Sequence, residues 1–265
     1  MTELPNAEPF ADLHAVVTGG SRGIGAAIAR RLAAGGAAVT VVGRTEAPLR
    51  AVADALAQAH GRPMHAAPAD VTDADAVAHA FESARDALGP VAILVNNAGA
   101  VESTPFLDLA EDRWRALLDV NLTSAFRCTQ AALPDMLTAG WGRVVNVASV
   151  AGITGAPYVS AYVAAKHGLV GLTRSLAVEV ARKGVTVNAV CPGYVDTDLV
   201  ADSVEALHAA TGKPPGELRD ALVRHNPVGR MLTPDEVASS VAWLCHREQA
   251  MVTGHALVLS GGEVF

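Results

Sequence analysis

Short apolar runs rich in β-branched residues alternate along this 265-residue chain with longer, alanine-rich amphipathic stretches. Several runs, such as residues 39–42 and 93–95, are apolar at nearly every position instead of every second one. Strands that are covered on both faces have this pattern. Strand–helix alternation of this kind predicts right-handed βαβ units. We therefore expect an α/β fold with a doubly wound parallel sheet of about seven strands flanked by helices.

The boundaries of these elements follow from the same periodicity. The expected strands are 14–18, 38–42, 63–69, 91–95, 143–148, 185–190 and 256–259. The expected helices are 23–34, 46–60, 73–88, 109–138, 160–182 and 234–245. No repeat or flexible linker divides the chain, which predicts a single domain over residues 1–265. Segment 196–227 interrupts the alternation of expected strands and helices. We expect it to be a small helical substrate lid, with a plain surface excursion as the alternative.

Composition excludes several classes of protein. Hydrophobic residues make up 51% and charged residues 18%, which argues against a disordered chain. The formal net charge of −7 argues against a nucleic-acid binder. Three widely spaced cysteines, with no CxxC or Cys/His cluster, predict neither a disulfide framework nor a metal site. With no basic leader and no long apolar run, we expect a cytoplasmic protein without membrane association.

A glycine-rich segment, Thr18–Gly25, follows the first expected strand and opens the first helix. Gly19, Gly23 and Gly25 would allow a tight turn, close approach of the backbone to a pyrophosphate, and close helix–strand packing. The helix N-terminus directs free N–H groups at such an anion. The G-x3-G-x-G spacing is one residue longer than the common dinucleotide fingerprint. Its position between strand and helix predicts a dinucleotide site.

The end of the second strand indicates which dinucleotide binds. An NAD site would place Asp or Glu there, to hold the ribose 2′-hydroxyl. The strand instead ends Val42-Gly43-Arg44. Arg44 could bind a 2′-phosphate, with Arg22 as a second cation, which predicts NADP(H). The alternative is that Arg44 is solvated and NAD(H) binds without the acid.

Tyr162 and Lys166 stand four residues apart near the start of an expected helix, so the phenol and the ammonium share one face. A nearby cation lowers the pKa of a tyrosine, which allows acid–base chemistry near neutral pH. With three Tyr and three Lys in the chain, a chance match has a probability of roughly 3%. Ser149 follows the fifth strand, at the sheet edge where ligands bind. Ser149 could hold a substrate carbonyl while Tyr162 donates a proton.

Seven motifs occur in the order found in short-chain dehydrogenases/reductases, between about residues 12 and 262. They are Thr18–Gly25, Asp70-Val71, Asn96-Asn97-Ala98-Gly99, Asn121, Ser149, Tyr162-x3-Lys166 and Pro192-Gly193-x3-Thr197. The chain resembles this family, and within it the bacterial 3-oxoacyl carrier-protein reductases and 3-hydroxyacyl-CoA dehydrogenases. The resemblance implies a Rossmann-like fold.

The resemblance also implies catalytic roles. Tyr162 would be the general acid in reduction and the general base in oxidation. Lys166 would lower the pKa of Tyr162 and bind the nicotinamide ribose. Ser149 would polarise the carbonyl, and Asn121 would anchor a water that relays protons to Lys166.

Further residues are implied to contact the cofactor, with Asp70 on the adenine and Thr197 near the carboxamide. The full set is Gly19, Ser21, Arg22, Gly23, Ile24, Gly25, Arg44, Asp70, Val71, Asn97, Ala98, Gly99, Tyr162, Lys166, Pro192, Gly193, Val195 and Thr197.

The expected substrate wall is neutral and largely apolar, so a free carboxylate has no obvious partner there. Its members are Ser149, Ala151, Ile153, Tyr158, Tyr162, Tyr194 and Leu199. Carrier-protein reductases of this family often have basic residues before the fifth strand and late in the Tyr helix. This chain has Gly140 and Trp141 at the first place and Lys183 at the second. The departure favours a CoA thioester or a small ketone as substrate.

These features predict an NADP(H)-dependent oxidoreductase that transfers a hydride between nicotinamide and a ketone or secondary alcohol. The alternatives are an NAD-dependent alcohol or 3-hydroxyacyl-CoA dehydrogenase working oxidatively, and a catalytically silent NADP-binding regulator. An epimerase or dehydratase of nucleotide sugars shares Tyr-x3-Lys but usually carries a separate C-terminal domain, for which there is no room.

A homotetramer is also implied by the resemblance, with helices 109–138 and 160–182 pairing across a two-fold and the C-terminal strand forming a second interface. Small residues on these helices would let them approach closely. They include Ala131, Ala132, Ala164, Ala165, Gly168 and Gly171.

Overall fold

The computed structural model describes residues 8–264, apart from the side chains of Leu199, Ala206 and Ala210. The predicted wall residue Leu199 therefore has its side chain outside the described part of the chain. The strands are β1 His14–Thr18, β2 Ala38–Gly43, β3 Met64–Pro68, β4 Val91–Asn96, β5 Gly142–Val147, β6 Val185–Pro192 and β7 Ala256–Leu259. The helices are α1 Gly23–Ala34, α2 Glu46–His60, α3 Ala74–Leu88, α4 Glu111–Leu118, α5 Ser124–Ala139, α6 Ser160–Val180, α7 Asp198–Thr211, α8 Pro215–Val223 and α9 Pro234–Cys245.

The sheet has seven parallel strands in the order β3-β2-β1-β4-β5-β6-β7. The predicted doubly wound, Rossmann-like sheet is thus confirmed. The strand order reverses between β1 and β4, because β2 and β3 are added on one side of β1 and β4 to β7 on the other. Ligands bind outside the carboxyl ends of the strands at such a switch point.

The consecutive apolar positions of the strands are explained by two hydrophobic layers. In β1, Ala15 and Val17 pack with α1, α2 and α9 on one face of the sheet. Val16, the residue between them, packs with α3, α5 and α6 on the other face. Each strand therefore needs apolar side chains on both sides, which removes the alternation of a half-exposed strand.

The predicted helix 109–138 is corrected by the structure. It is divided into α4 and α5 by a π-helical turn, Asp119–Thr123. Such turns are frequent at functional sites, since the extra residue redirects a side chain. Helix 160–182 is also shorter than predicted, because a 3₁₀ turn over Ala181–Lys183 ends at Gly184, which has φ of +75°.

Segment 196–227, whose role as a lid stays a prediction, contains α7 and α8 and is called the lid segment below. A left-handed glycine, Gly212 with φ of +71°, ends α7 and turns the chain toward α8.

A buried histidine links the beginning of β1 to its neighbours. The Nδ1 of His14 lies 2.7 Å from the carbonyl oxygen of Gly89, and its Nε2 lies 2.9 Å from the hydroxyl of Thr40. A carbonyl only accepts, so Nδ1 carries the proton and Nε2 accepts from Thr40. Burial lowers the pKa of His14, which keeps it neutral.

All three cysteines are buried and free: Cys128 in α5, Cys191 in β6 and Cys245 in α9. Burial raises the pKa of Cys128 and of Cys245 to about 12, and also raises that of Cys191. Within the described residues, no group of three or more His, Cys, Asp or Glu is placed to hold a metal. Across the same stretch of chain, no helix combines the length and the hydropathy needed to span a bilayer.

Candidate active site

The glycine-rich segment folds into a tight turn between β1 and α1. Gly19 and Gly23 have φ of +65° and +54°, a region that side chains disfavour. At Gly25 a Cβ atom would lie 2.1 Å from the carbonyl oxygen of Gly19. Each of the three glycines predicted from the sequence is therefore required by the local backbone, and the N-terminus of α1 is left open toward the switch point.

A cleft of about 710 Å³ lies over this turn. It brings together these predicted cofactor residues: Gly19, Ser21, Arg22, Gly23, Ile24, Arg44, Asp70, Val71, Asn97, Ala98, Gly99 and Thr197. The other predicted members lie outside its lining: Gly25, Tyr162, Lys166, Pro192, Gly193 and Val195.

Other residues of this cleft were not predicted from the sequence. They are Gly43, Thr45, Pro48, Ala69, Thr72, Ala100, Arg113, Ala116, Leu117, Val120 and Asp198. Those next to predicted strand ends could have been inferred from their neighbours. Arg113 and Val120 could not, because they reach the cleft only through the packing of α4 and of the π-helical turn that follows it.

Two of the arginines that line the cleft are the predicted cofactor residues Arg22 and Arg44. Arg44 is exposed immediately after β2, and Arg22 is exposed in the glycine-rich turn. The carboxylate of Asp70 accepts hydrogen bonds from the amide and the hydroxyl of Thr72, at 2.9 and 2.7 Å. These bonds, and to a smaller extent the charge of Arg44, lower the pKa of Asp70. Asp70 is therefore an anionic acceptor close to Arg44.

Tyr162 and Lys166 lie on one face at the start of α6, as their spacing predicts. The Nζ of Lys166 is 5.5 Å from the ring centre of Tyr162 and donates to the carbonyl of Val147 at 2.9 Å. Lys166 is only 4% exposed, and burial lowers its pKa to about 8. Burial also raises the pKa of Tyr162, with a hydrogen bond to Ser149 acting in the opposite direction.

Among the influences of the described residues on the phenol, burial is the largest. That Lys166 lowers the pKa of Tyr162 stays a prediction. Because Lys166 is itself buried, its own charged form is disfavoured. Tyr162 therefore keeps its proton at neutral pH, as a proton donor requires.

Asn121 is placed by the π-helical turn. Its amide nitrogen donates to the carbonyls of Ala100 and Leu117 at 2.7 and 2.9 Å, and its oxygen accepts from the amide of Ala100 at 3.2 Å. A Cβ on Gly99 would lie 2.7 Å from the Asn121 oxygen and 3.6 Å from Nζ of Lys166. Asn121 and Lys166 thus both border Gly99.

A buried polar network fixes α6 and α5 to the sheet. Asn146 in β5 donates to the hydroxyl of Thr173 in α6 at 2.8 Å. Asn96 in β4 donates to Asn146 and to Thr129 in α5, at 2.9 and 3.0 Å. The helix that carries Tyr162 is therefore held in register by hydrogen bonds as well as by apolar packing.

The predicted substrate wall is only partly assembled. Ala151 is buried behind Ser149, whose hydroxyl accepts from the Ala151 amide at 3.1 Å. Tyr158 and Tyr194 are 63% and 45% exposed. Tyr158 has φ of +64°, unusual for a bulky residue, and its carbonyl accepts from the amide of Thr104 at 2.7 Å. Strain of this kind is typical of functional loops.

Comparison with known proteins gives a consistent picture. The sequence model of the short chain dehydrogenase family matches residues 13–208. A D-beta-hydroxybutyrate dehydrogenase of Rhizobium meliloti is 38% identical, over 94% of this chain and 97% of the relative. An acetoacetyl-CoA reductase of Cupriavidus necator is 39% identical, and a 3-oxoacyl-[acyl-carrier-protein] reductase of Vibrio cholerae 40%; each comparison covers 94% of this chain and 96% of the relative.

A solved structure shares the architecture closely. Actinorhodin polyketide ketoreductase, crystallised with NADPH, superposes with a TM-score of 0.91 at 38% identity. The match covers 97% of this chain and 99% of that chain.

Proposed function

Because this chain belongs to the short-chain dehydrogenase/reductase family, and is thus an oxidoreductase acting on CH–OH groups, we propose that it is an NADPH-dependent ketoreductase. Its substrate would be a 3-oxoacyl thioester of the CoA type or a similar small ketone. The observation that carries the proposal is that Ser149, Tyr162 and Lys166 lie together beside a cleft that is lined by the glycine-rich turn, Arg22 and Arg44.

In the proposed chemistry, each of these side chains has a separate role. A bound nicotinamide would supply the hydride. Ser149 donates a hydrogen bond to the ketone oxygen and so polarises it. Tyr162 donates its proton to the same oxygen as charge develops there. Lys166, held by the Val147 carbonyl, orients the nicotinamide ribose and stabilises the phenolate left behind.

The choice of NADPH rests on charge at the end of β2. Arg44 stands where a 2′-hydroxyl site would have a carboxylate, and Arg22 lines the same cleft. A 2′-phosphate between two guanidinium groups gains charge-assisted hydrogen bonds that NADH cannot form. The NADPH held by the actinorhodin polyketide ketoreductase agrees with this choice.

The choice of a thioester rests on what surrounds Tyr162. Ala151 and Ile153 beyond Ser149 are apolar, and Tyr158 and Tyr194 add no cationic side chain. A free 3-oxo acid would leave its carboxylate without a cationic partner at this wall, which is costly on desolvation. A thioester carries no charge next to the ketone.

The hydroxybutyrate dehydrogenase relatives favour an alternative, oxidation of a free 3-hydroxy acid. One panel of activity assays distinguishes ketone reduction from oxidation of a free 3-hydroxy acid. Nicotinamide absorbance is followed with acetoacetyl-CoA, free acetoacetate and cyclohexanone as acceptors, each with NADPH and NADH, and with 3-hydroxybutyrate plus NADP+ or NAD+. We expect the highest kcat/KM for acetoacetyl-CoA with NADPH. A preference for 3-hydroxybutyrate with NAD+ would establish the alternative, and no turnover of any ketone or alcohol would refute both.

A further inference from the structure

We propose that Asp198, the first residue of α7, limits the preference of this site for NADPH over NADH by competing with the 2′-phosphate for Arg22. The inference deepens the proposed function, since it rests on NADPH being the cofactor.

The glycine-rich turn and the lid segment meet at the lining of the cleft. The NH1 of Arg22 lies 3.9 Å from Oδ2 of Asp198. Directly below, a Cβ on Gly23 would lie 3.5 Å from the Cγ2 of Thr197, which is ordinary van der Waals distance. Arg22, Gly23, Thr197 and Asp198 all line the dinucleotide cleft. The ion pair therefore forms a contact between the phosphate-binding turn and the start of α7.

Two other arginines of the cleft have acidic neighbours that are already engaged. Asp70, near Arg44, accepts two hydrogen bonds from Thr72. Arg113 forms an ion pair with Glu102. These acids are occupied whether or not a phosphate is present.

Asp198 differs from those acids in how few partners its carboxylate has. Within the described residues, its ion pair is with Arg22 alone. The side chains of Arg22 and Asp198 are 68% and 71% exposed, so each can turn away at little cost. Arg22 is thus shared between an internal anion and the expected 2′-phosphate.

The competition affects one cofactor and not the other. A phosphomonoester carries more charge than a carboxylate, so the 2′-phosphate takes Arg22 and leaves Asp198 close to it without a partner. NADH has a neutral hydroxyl at this place. It therefore neither competes with Asp198 for Arg22 nor is repelled by the Asp198 carboxylate. Because exposed ion pairs are weak, the penalty on NADPH is severalfold and not many orders of magnitude.

The test replaces the carboxylate by its uncharged isostere. In Asp198→Asn, titration of nicotinamide fluorescence at low ionic strength should show NADPH binding tightened about threefold to fivefold. The Kd of NADH should stay within about twofold, and the gain for NADPH should shrink at high salt, because exposed charges are screened. Asp202→Asn is the matched control, since it removes the same charge from an exposed position one turn later in α7. It should change neither Kd.

A double-mutant cycle assigns the effect to Arg22. In an Arg22→Ala background, Asp198→Asn should have little effect on the NADPH Kd. Weaker NADPH binding in Asp198→Asn, or equal changes for both cofactors, would overturn the inference. Wild-type protein that binds NADH as tightly as NADPH would instead refute the proposed cofactor, which keeps the two failures distinct.

Discussion

Burial changes the acid–base behaviour of single side chains at the catalytic end of the site. Tyr162 has a raised pKa and Lys166 a pKa lowered to about 8, both mainly because they are removed from water. The proton therefore stays on the phenol near neutral pH. Hydride transfer to a ketone creates negative charge beside that phenol, which is where a held proton is needed.

Removing this proton donor gives the most direct test at the residue scale. Tyr162→Phe keeps the ring and deletes only the hydroxyl. The loss should be on the order of 10³-fold or more in kcat, with cofactor affinity little changed. Steady-state kinetics and a cofactor titration on the same preparation measure both. Turnover close to wild type in this variant would remove Tyr162 from the mechanism.

Arg44 provides the second test at this scale. Losing a charged hydrogen bond of about 1.5–3 kcal/mol should weaken NADPH roughly 10- to 100-fold in Arg44→Ala. NADH should be nearly unaffected, because it lacks the phosphate. Arg50→Ala on α2 is a matched control, since Arg50 is equally exposed but pairs with Glu46. Equal losses for both cofactors would mean that Arg44 does not contact the 2′-phosphate.

Helices and strands position these residues, and the hydrogen bond from Asn146 to Thr173 helps to hold α6 in register. Thr173→Val keeps the shape of the side chain but leaves the Asn146 amide without its acceptor, at a cost of about 1–3 kcal/mol. We expect lower stability to urea and a severalfold fall in kcat with an unchanged cofactor Kd. Thr173→Ser keeps the hydroxyl and should restore kcat. If the Ser and Val variants have equal kcat, the hydroxyl has no positioning role.

His14 in strand β1 makes the stability of the fold depend on pH. His14 stays neutral in the fold, so below its ordinary pKa of 6.5 the unfolded chain binds a proton that the folded chain does not. The free energy of unfolding should therefore decrease as pH falls below about 6.5. Burial also lowers the pKa of His65, which adds the same trend. In His14→Gln, the free energy of unfolding measured with urea should change less with pH between about pH 5 and 7 than in the wild type. Some dependence on pH should remain, because His65 contributes to it. An unchanged slope would contradict this account.

The elements predicted most accurately are those whose sequence signal lies within a few residues. Strand β1 and helix α2 have the predicted bounds, because apolar runs and a terminal glycine act within a few residues. The π-helical turn was missed, because one extra residue moves the apolar positions after it by a single place, which is too little to interrupt the helical pattern of 109–138. In the site, Arg44 was identified by its place after β2. Arg113 was not, because its approach to the cleft depends on how a distant helix packs.

At the scale of the whole molecule, the structure corrects which small residues could face another subunit. Ala132 and Ala165 are fully buried within the chain. A Cβ on Gly168 would meet Leu122 at 2.7 Å, so this glycine serves internal packing. A Cβ on Gly171 would have nothing within 4 Å. The homotetramer stays a prediction, and Gly171 is the position at which to test it.

Gly171→Arg places a bulky charge on the open face of α6 without an internal clash. If α6 pairs with its copy across a two-fold, light scattering should show a smaller species than the wild type, with reduced activity because Tyr162 lies on the same helix. Ala55→Arg, on the exposed face of α2, is the control and should change neither property. A variant with wild-type mass and full activity would place the interface elsewhere.

The three buried thiols provide a built-in means of following how the molecule opens. Cys128 and Cys245 lie in the hydrophobic layers on opposite faces of the sheet, and Cys191 lies within the sheet itself. An alkylating reagent attacks the thiolate, and burial keeps all three protonated. Each cysteine is therefore alkylated only during excursions that expose its own part of the structure. Site-by-site alkylation rates would rank the two layers and strand β6 by how often each one opens.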